Sequence, residues 1–221
     1  MRTLVIGAAI SGRAALRLLD AAGHQVVVYD ADPDAVAALA GSTSCHGGAW
    51  DPRLLDGIET VVVSPGVPEH AAPIQDALAA GLAVWSEIEL AARHLDIPMA
   101  AVTGTNGKTT VTALAAAMLE GSGLRAAAVG NIGDPLCDAV GTDRDVLVVE
   151  ASSFQLRFIE TFRPHAAVLL NVAPDHLDWH GTLEAYAAAK ARIWERQGAD
   201  DVLIFDADDP GAVAAVTGAA S

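Results

Sequence analysis

Cysteine, aromatic residues and positive charge are all scarce in this sequence. Its two cysteines, Cys45 and Cys137, are too few and too far apart for a zinc motif or a disulfide framework, so we expect reduced thiols. Aromatic residues make up 5% of the chain, whereas hydrophobic residues, many of them alanine and valine, make up 52%. This composition favours close packing of helices on sheets over a disordered or fibrous chain.

Basic residues are outnumbered: lysine and arginine total 13 against 28 acidic residues, for a formal net charge of −15. Nucleic acids and anionic membranes would repel such a chain, so we expect neither as a partner. A phosphate ligand would therefore need a focused site built from backbone dipoles, a few cations and metal ions.

Long apolar runs are also missing. No uninterrupted apolar stretch approaches the length of about 18 residues that a transmembrane helix needs. The N-terminal segment could be mistaken for a signal peptide, but Arg13, Arg17 and Asp20 interrupt its apolar run too early. We expect a soluble, cytoplasmic protein that is a monomer.

The chain does contain a regular alternation of short apolar strands and amphipathic helices, which predicts an α/β fold with parallel sheets. The predicted strands are 3–7, 25–30, 60–66, 82–86, 99–104, 125–130, 145–150, 165–172 and 201–206. Residues 93–98 are the best linker candidate. They divide the chain into an N-terminal Rossmann-like domain (1–94) and a P-loop-type ATPase domain (95–221) that is incomplete. Residues 211–221 show no recognisable closing element.

A glycine-rich loop, "GTNGKTTV" at residues 104–111, carries the clearest chemical signal. Such a loop followed by a helix over 108–120 presents backbone N–H groups to a phosphate. Lys108 would bridge the β- and γ-phosphates and the Thr109 hydroxyl would ligate Mg²⁺. Val102 replaces the first glycine of the generic motif, but the variant spacing still predicts a nucleotide site. The alternative is a purely structural glycine-rich turn that binds no ligand. The predicted ATP-binding residues are Gly104, Thr105, Asn106, Gly107, Lys108, Thr109 and Thr110.

A magnesium ion at this loop needs a carboxylate from a neighbouring strand end. The strand "DVLVVE" ends in Glu150, which is the candidate, although a strand-end carboxylate at a surface turn is a common alternative. The segment "NVAPDHLDWHGT" (171–182) contains His176 and His180, whose spacing superficially resembles a zinc motif. Pro174 and Gly181 predict a loop there, so we favour His176 alone, as part of a magnesium–nucleotide site.

Lys190 lies at an unusual position in the predicted helix over 182–196. It falls on the apolar stripe, seven residues after Leu183 and four after Tyr186. Lysine is rarely buried without a partner, and snorkelling from the edge of the stripe is the alternative. Burial would lower the lysine pKa and populate a neutral amine that can be chemically modified.

Five motifs in this order resemble the Mur ligases of peptidoglycan synthesis: "VTGTNGKTT", "GNIG", "VVEASSFQL", "NVAPDHLDWHGT" and "YAAAKARIW". "SSFQL", with "GAAISG" and "SPGVP" near the N-terminus, is similar to the D-glutamate-adding members. The resemblance implies ATP-dependent, ADP-forming amide ligation of D-glutamate to UDP-N-acetylmuramoyl-L-alanine through an acyl phosphate. That step would serve cell-wall biogenesis, cell shape and division.

The resemblance also implies roles for individual residues. Thr109 and Glu150 would ligate a first Mg²⁺. His176 would ligate a second Mg²⁺ together with Lys190, modified by CO₂ to a carbamate. Lys108, Glu150, His176 and Lys190 are the implied catalytic set. The implied substrate-binding residues are Ile10, Ser11, Asp30, Ala31, Ser64, Pro65, Gly66, Asn131, Ser152 and Gln155.

Alternatives remain open. "GAAISG" with Asp30 also matches a dinucleotide fingerprint, but Ala9 stands at its middle glycine and would crowd a pyrophosphate, which disfavours NAD. An L-alanine-adding ligase is the nearest alternative, although its loop usually has histidine where Asn106 stands. The second alternative is a plain P-loop switch or a non-catalytic nucleotide-binding module. Dependence of the activity on CO₂ would distinguish a ligase from either of these. Since the chain is about half the length that the family implies, we expect little or no ligase activity from it alone.

Overall fold

Runs of β-branched and aliphatic residues form most of the strands, and the central ones are buried on both faces, as is usual in parallel sheets. In the computed structural model, which describes residues 1–39 and 43–218, these strands form two five-stranded parallel sheets. The first sheet contains β1 (Arg2–Ile6), β2 (Gln25–Asp30), β3 (Ser44–Gly47), β4 (Thr60–Val63) and β5 (Ala83–Ser86), in the order β3-β2-β1-β4-β5. The second contains β6 (Met99–Thr103), β7 (Ala126–Gly130), β8 (Val146–Glu150), β9 (Ala166–Leu169) and β10 (Val202–Phe205), in the order β10-β9-β6-β8-β7.

Helices connect the parallel strands and lie on the sheets. Within the described residues they are α1 (Ile10–Ala21), α2 (Pro33–Ala37), α3 (Ala72–Ala79), α4 (Glu87–Ala92), α5 (Lys108–Gly121), α6 (Ser153–Arg157), α7 (Leu177–His180), α8 (Leu183–Ala191) and α9 (Pro210–Gly218). Short 3₁₀ turns occupy Pro52–Leu55, Leu136–Ala139 and Arg192–Trp194. The α/β class with parallel sheets is therefore confirmed. None of the helices in the described ranges has the length and apolar character to cross a lipid bilayer.

Four local expectations differ from the structure. Strand β3 was not predicted, because its sequence "SCHG" is polar and lies at an exposed sheet edge. The expected loop after β9 contains the short helix α7. Helix α9 closes the described chain where no closing element was expected, and residues 219–221 lie outside the described part. The long helix expected over 182–196 ends at Ala191 and continues as a 3₁₀ turn.

Helix α4 and the segment after it join the two sheets, and the predicted boundary after residue 94 falls in that segment. The Ser86 amide donates to the Phe158 carbonyl at 2.8 Å. Glu87 accepts from the Cys137 amide at 2.5 Å. The fully buried Glu89 carboxylate accepts from the backbone amides of residues 160–162. One hydrophobic cluster also contains residues of both sheets, so the two halves share a packed interface.

Candidate functional site

The phosphate loop joins β6 to α5 at the carboxyl edge of the second sheet. Gly107 takes the N-cap position with φ +84°, a left-handed conformation that glycine adopts without strain. Val111 donates to the Gly107 carbonyl at 3.0 Å and is the first amide of α5 to bond within the helix. The amides of Lys108, Thr109 and Thr110 therefore have no intrahelical acceptor and point towards the loop, where an anion can bind.

Two lysine side chains converge on this loop. Lys108 Nζ donates to the carbonyls of Gly104 at 2.9 Å and Thr105 at 3.0 Å. Lys190 Nζ comes from α8 and donates to the same Gly104 carbonyl at 2.8 Å. These are the only lysines in the sequence, so both lysine side chains of this acidic chain lie at one loop.

The hydroxyl and carboxylate predicted to hold a metal lie in direct contact. Thr109 Oγ1 donates to Glu150 Oε2 at 2.8 Å. The other carboxylate oxygen, Oε1, accepts from Asn131 Nδ2 at 2.8 Å. Glu150 is 2% exposed at the end of β8, so it is held rigidly beside the start of α5. A hydroxyl and a carboxylate oxygen at this separation match the hard oxygen ligands that Mg²⁺ prefers.

Gly130 allows this arrangement. It precedes Asn131 with φ +102°, and a Cβ atom there would lie 2.5 Å from the Glu150 carbonyl oxygen. Asn131 was predicted to contact the substrate. In the structure its side-chain amide donates to Glu150 Oε1, and its backbone amide donates to the Glu150 carbonyl.

Lys190 is 1% exposed, which confirms its predicted burial and shows that it does not snorkel. Its Nζ lies 4.4 Å from the centre of the Tyr186 ring. Burial, followed by the charge of Lys108, lowers the pKa of Lys190 from 10.5 to about 7. A substantial fraction of the amine is therefore neutral near pH 7, and a neutral amine can react with an electrophile.

His176 lies on the other side of the same tyrosine. Its ring is centred 6.4 Å from the Tyr186 ring and 4.9 Å from Phe154. His176 has φ +50°, the only positive value among described residues other than glycine, and it immediately precedes α7. Such a backbone conformation costs energy and tends to occur at functional sites, where a side chain must be held in one orientation.

His180 has a different environment from His176. Its Nε2 lies 3.0 Å from Ser153 Oγ, and its ring stacks on Phe154. Burial, and then the charge of Lys190, lower the pKa of His180 to about 4, so the ring is neutral at pH 7. Across residues 1–39 and 43–218, no three histidine, cysteine or acidic side chains gather in a metal-binding arrangement.

Ser152 and Gln155, both predicted to contact substrate, form a capping box at the start of α6. The Gln155 amide donates to Ser152 Oγ, and the Ser152 amide donates to Gln155 Oε1 at 3.0 Å. Gln155 is 1% exposed. The Ser-x-x-Gln spacing is itself a helix N-terminus signature, which the sequence analysis overlooked.

The predicted nucleotide-sugar residues lie together at the carboxyl edge of the first sheet. Asp30 accepts from the amides of Ala8 at 2.7 Å and Asp32 at 2.9 Å, so its carboxylate shapes the turn before α1. Ser64 is buried and its hydroxyl donates to the Gly7 carbonyl at 3.1 Å. The other predicted residues at this edge are Ile10, which is 73% exposed, Ser11, Ala31, Pro65 and Gly66.

Helix α5 is confirmed, but of the apolar positions Val111, Leu114, Ala115 and Met118 that its sequence offers to the sheet, Val111 and Ala115 are only half-buried. Leu114 is 57% and Met118 is 67% exposed, while Thr112 and Ala116 face the sheet. Asn171, whose side chain binds the phosphate loop directly, was not predicted from the sequence. Its position two residues after β9, at the same sheet edge as the loop, was a usable signal.

Two family descriptions match the sequence. "Mur ligase middle domain" matches residues 102–220, and "Mur ligase MurD-like, N-terminal domain" matches residues 1–86. The chain is 46% identical over 217 residues to a UDP-N-acetylmuramoylalanine–D-glutamate ligase of Myxococcus xanthus, an alignment that includes 94% of this chain and 48% of the relative. A ligase of the same name from Frankia casuarinae is 47% identical over 220 residues, covering 93% of this chain and 45% of the relative. The chain thus spans about half the length of the curated relatives it matches.

Solved structures share the fold at lower identity. The UDP-N-acetylmuramate:L-alanyl-γ-D-glutamyl-meso-diaminopimelate ligase of Neisseria meningitidis is similar with a TM-score of 0.64 and 19% identity, covering 98% of this chain and 74% of that one. The UDP-N-acetylmuramate–alanine ligase of Thermotoga maritima gives a TM-score of 0.55 and 20% identity, covering 97% and 51%. At these identities the likeness concerns the fold, which places Rossmann-like and P-loop-type units in series.

Proposed function

The chain belongs to the Mur ligase family, and we propose that it provides the nucleotide-sugar and ATP sites of an ADP-forming ligase. The reaction is the addition of D-glutamate to UDP-N-acetylmuramoyl-L-alanine through an acyl phosphate, in the peptidoglycan precursor pathway. Identities of 46% and 47% to ligases named for this reaction support D-glutamate over L-alanine as the added amino acid.

The observation that carries the proposal is the contact of buried Lys190 with the Gly104 carbonyl. A nucleotide switch or a passive nucleotide-binding module needs Lys108 at its loop but has no use for a second, buried lysine. The neutral Lys190 amine can attack CO₂: an N–C bond forms, one C–O π bond of CO₂ becomes a carboxylate oxygen, and the nitrogen loses one proton to solvent, so the neutral amine becomes a carbamate anion. That anion beside the loop would be a metal ligand.

The residues present fit two magnesium ions. Thr109 and Glu150 offer a hydroxyl and a carboxylate oxygen to the first ion, and His176 and carbamylated Lys190 would hold the second. Bound Mg²⁺ would neutralise phosphate charge during phosphoryl transfer. Lys108 and the first-turn amides of α5 would orient the polyphosphate. Asn131 keeps Glu150 in place through Oε1 while Oε2 faces Thr109.

The turn before α1 would receive the uridine diphosphate part of the substrate. Asp30 and Ser64 hold this turn through backbone groups, and the exposed Ile10 and half-buried Ser11 begin the helix whose first amides would face a ligand. The acyl end of the substrate would then reach the phosphate loop of the second sheet.

Titration calorimetry on this chain tests the substrate assignment. We expect UDP-N-acetylmuramoyl-L-alanine to bind, and to bind more tightly than UDP-N-acetylmuramate, which lacks the alanyl carboxylate. Tighter binding of the form without alanine would favour the L-alanine-adding reaction, and binding of NADH instead would overturn the ligase assignment. Because relatives are about twice as long, we expect no substrate-dependent phosphate release from this chain alone; turnover would contradict that expectation.

Carbon-13 NMR in labelled bicarbonate tests the lysine chemistry. The chain has three amines: the α-amino group, Lys108 and Lys190. We expect a carbamate signal that is lost in Lys190→Met and kept in the matched variant Lys108→Met. A signal that survives in Lys190→Met would exclude the assigned modification.

A further inference from the structure

Asn171 binds the phosphate loop through both ends of its side chain. Its Oδ1 accepts from the amides of Thr105 at 3.0 Å and Asn106 at 2.9 Å. Its Nδ2 donates to the Asn106 carbonyl at 3.1 Å, and its own backbone carbonyl accepts from Thr105 at 3.0 Å. One amide side chain thus satisfies three backbone groups of the loop that is expected to hold a polyphosphate.

These contacts divide the amides of the loop into two sets. Those of Thr105 and Asn106 already have an acceptor within the protein. Those of Lys108, Thr109 and Thr110 lie in the first turn of α5, where helix geometry leaves them without an acceptor. The positive potential available to an anion is therefore shifted towards the helix end of the loop.

A second contact joins the phosphate loop to the segment that follows β9. Thr105 Oγ1 accepts from the Ala173 amide at 3.0 Å and lies 3.2 Å from the Ala173 carbonyl. It also lies 3.3 Å from the hydroxyl of Tyr186, the ring that adjoins both Lys190 and His176. The phosphate loop and the segment leading to His176 are held together at two successive loop residues.

We propose that Asn171 is a positioning residue for the phosphate loop. It withholds the Thr105 and Asn106 amides from the ligand, so the polyphosphate is bound by the first turn of α5 and by Lys108. It also fixes the loop to the segment that carries His176, which sets the spacing between the two parts of the site. The identity of the ligand as a nucleotide polyphosphate rests on the proposed function, whereas the contacts of Asn171 do not.

Asparagine suits this position better than its closest isostere. An aspartate would keep the two acceptor contacts with Thr105 and Asn106, but it would lose the donor to the Asn106 carbonyl. It would also add a negative charge beside the polyphosphate. Alanine would remove all three side-chain contacts and release the Asn106 amide, whereas the Thr105 amide would keep the backbone carbonyl of residue 171 as its acceptor.

Amide hydrogen exchange on the ¹⁵N-labelled chain tests the contacts without any ligand. We expect slow exchange at Thr105 and Asn106 in the native chain and at least about tenfold faster exchange at Asn106 in Asn171→Ala, while Thr105 stays protected by the backbone carbonyl of residue 171. Gln197→Ala is a matched control, because Gln197 Nε2 likewise binds two backbone carbonyls, those of Pro164 and Val202, at the opposite edge of the sheet. Unchanged exchange at residue 106 in Asn171→Ala would overturn the proposal.

Binding of magnesium tripolyphosphate and Mg·ADP tests the consequence. In the native chain the amide signals of Lys108 to Thr110 should shift on binding, while those of Thr105 and Asn106 stay nearly unchanged. Asn171→Asp, which keeps the acceptor contacts and should fold normally, is expected to bind at least about tenfold more weakly than the native chain. Its affinity for UDP-N-acetylmuramoyl-L-alanine, a ligand of the first sheet, should not change.

These outcomes distinguish a failure of the proposed nucleotide site from a failure of the positioning role of Asn171. If the native chain binds no polyphosphate, the proposed function fails, and the exchange experiment still decides the role of Asn171. If polyphosphate binds equally well to native, Asn171→Asp and Asn171→Ala chains, or if the amides of Thr105 and Asn106 shift most on binding, the positioning role is wrong and the nucleotide site stands.

Discussion

Lys108 and Lys190 donate hydrogen bonds to one acceptor, the carbonyl oxygen of Gly104, at 2.9 and 2.8 Å. Lys108 is the first residue of α5, and Lys190 lies in the last turn of α8. They are the only lysines in the chain. Two ammonium groups this close repel each other, and the more buried one yields its proton more easily. The low pKa of Lys190 therefore follows first from its burial and then from the charge of Lys108 beside it.

The pH dependence of stability should report the buried amine. In the unfolded chain the Lys190 pKa is near 10.5, and in the folded chain it is about 7. Between these values the unfolded state binds the extra proton, so the folded state gains stability as pH rises, by at most about 1.4 kcal/mol per pH unit. We expect the free energy of unfolding of the native chain to increase relative to Lys190→Met from pH 7 to pH 10, measured by urea denaturation in CO₂-free buffer.

Lys190→Arg is the control for that experiment. Its guanidinium stays charged throughout this range. The variant should therefore lack the increase. An equal gap between the native chain and Lys190→Met at pH 6.5 and pH 9.5 would show that the amine is not perturbed.

The contact between Thr109 and Glu150 predicts a magnesium-specific defect. Thr109→Ala removes a hydroxyl from the proposed metal site, and we expect Mg·ADP to bind about tenfold more weakly. Thr109→Ser keeps the hydroxyl and should bind normally. Binding of ADP in the presence of a chelator should be the same in all three chains. Equal loss with and without magnesium would place the threonine outside the metal site.

Glu87 predicts a pH effect of opposite sign. Its carboxyl is buried, Oε2 has no hydrogen-bond partner in the described ranges, and burial raises the pKa to about 7. Between about pH 4.5 and 7 the folded state holds a proton that the unfolded state has lost, so stability falls as pH rises. Glu87→Gln cannot ionise. We expect it to become progressively more stable than the native chain from pH 5 to pH 8, as followed by urea denaturation at each pH; a constant difference would contradict the raised pKa.

Glu89 and Glu160 offer a matched pair at the interface of the sheets. Both bind Arg93, but Glu89 is fully buried and also accepts from three backbone amides, whereas the Glu160 side chain is 48% exposed. We expect Glu89→Ala to cost about 3–5 kcal/mol of unfolding free energy, because it leaves those donors unpaired. Glu160→Ala should cost less than about 1 kcal/mol. Similar costs in denaturant titrations would mean that Glu89 does not fasten the interface.

Much of the fold could be predicted because its central strands are short valine-rich runs. The α/β alternation followed from periodicity, which also placed Lys190 on the apolar stripe of its helix but left open whether its amine is buried or snorkels. Strand β3 could not be found this way, since its residues are polar and its pairing with β2 is a tertiary contact. The exposed face of α5 was misjudged for a related reason: alanine and threonine, being small, allow the helix to lie close to the sheet, so Leu114 and Met118 are left outside.

Individual site contacts were harder to predict than the motifs that contain them. The loop, Glu150 and Lys190 stand out because their residue types are unusual where they occur. Asn171, Ser152 and Gln155 are common polar residues whose partners are backbone groups distant in sequence or hidden in a cap. Only the folded arrangement of neighbouring strand ends reveals that an asparagine after β9 reaches the loop after β6.

The carboxylate of Glu89 and the amide of Ser86 tie α4 to the second sheet, so the gap between the α1 turn and the glycine loop has a set width. A ligand bound at the α1 turn presents its far end at a distance that its own length determines. For the acyl donor of the proposed function, this arrangement predicts that a substrate shortened or extended by one unit would bind normally at the α1 turn but bring its reactive end to the wrong place at the glycine loop.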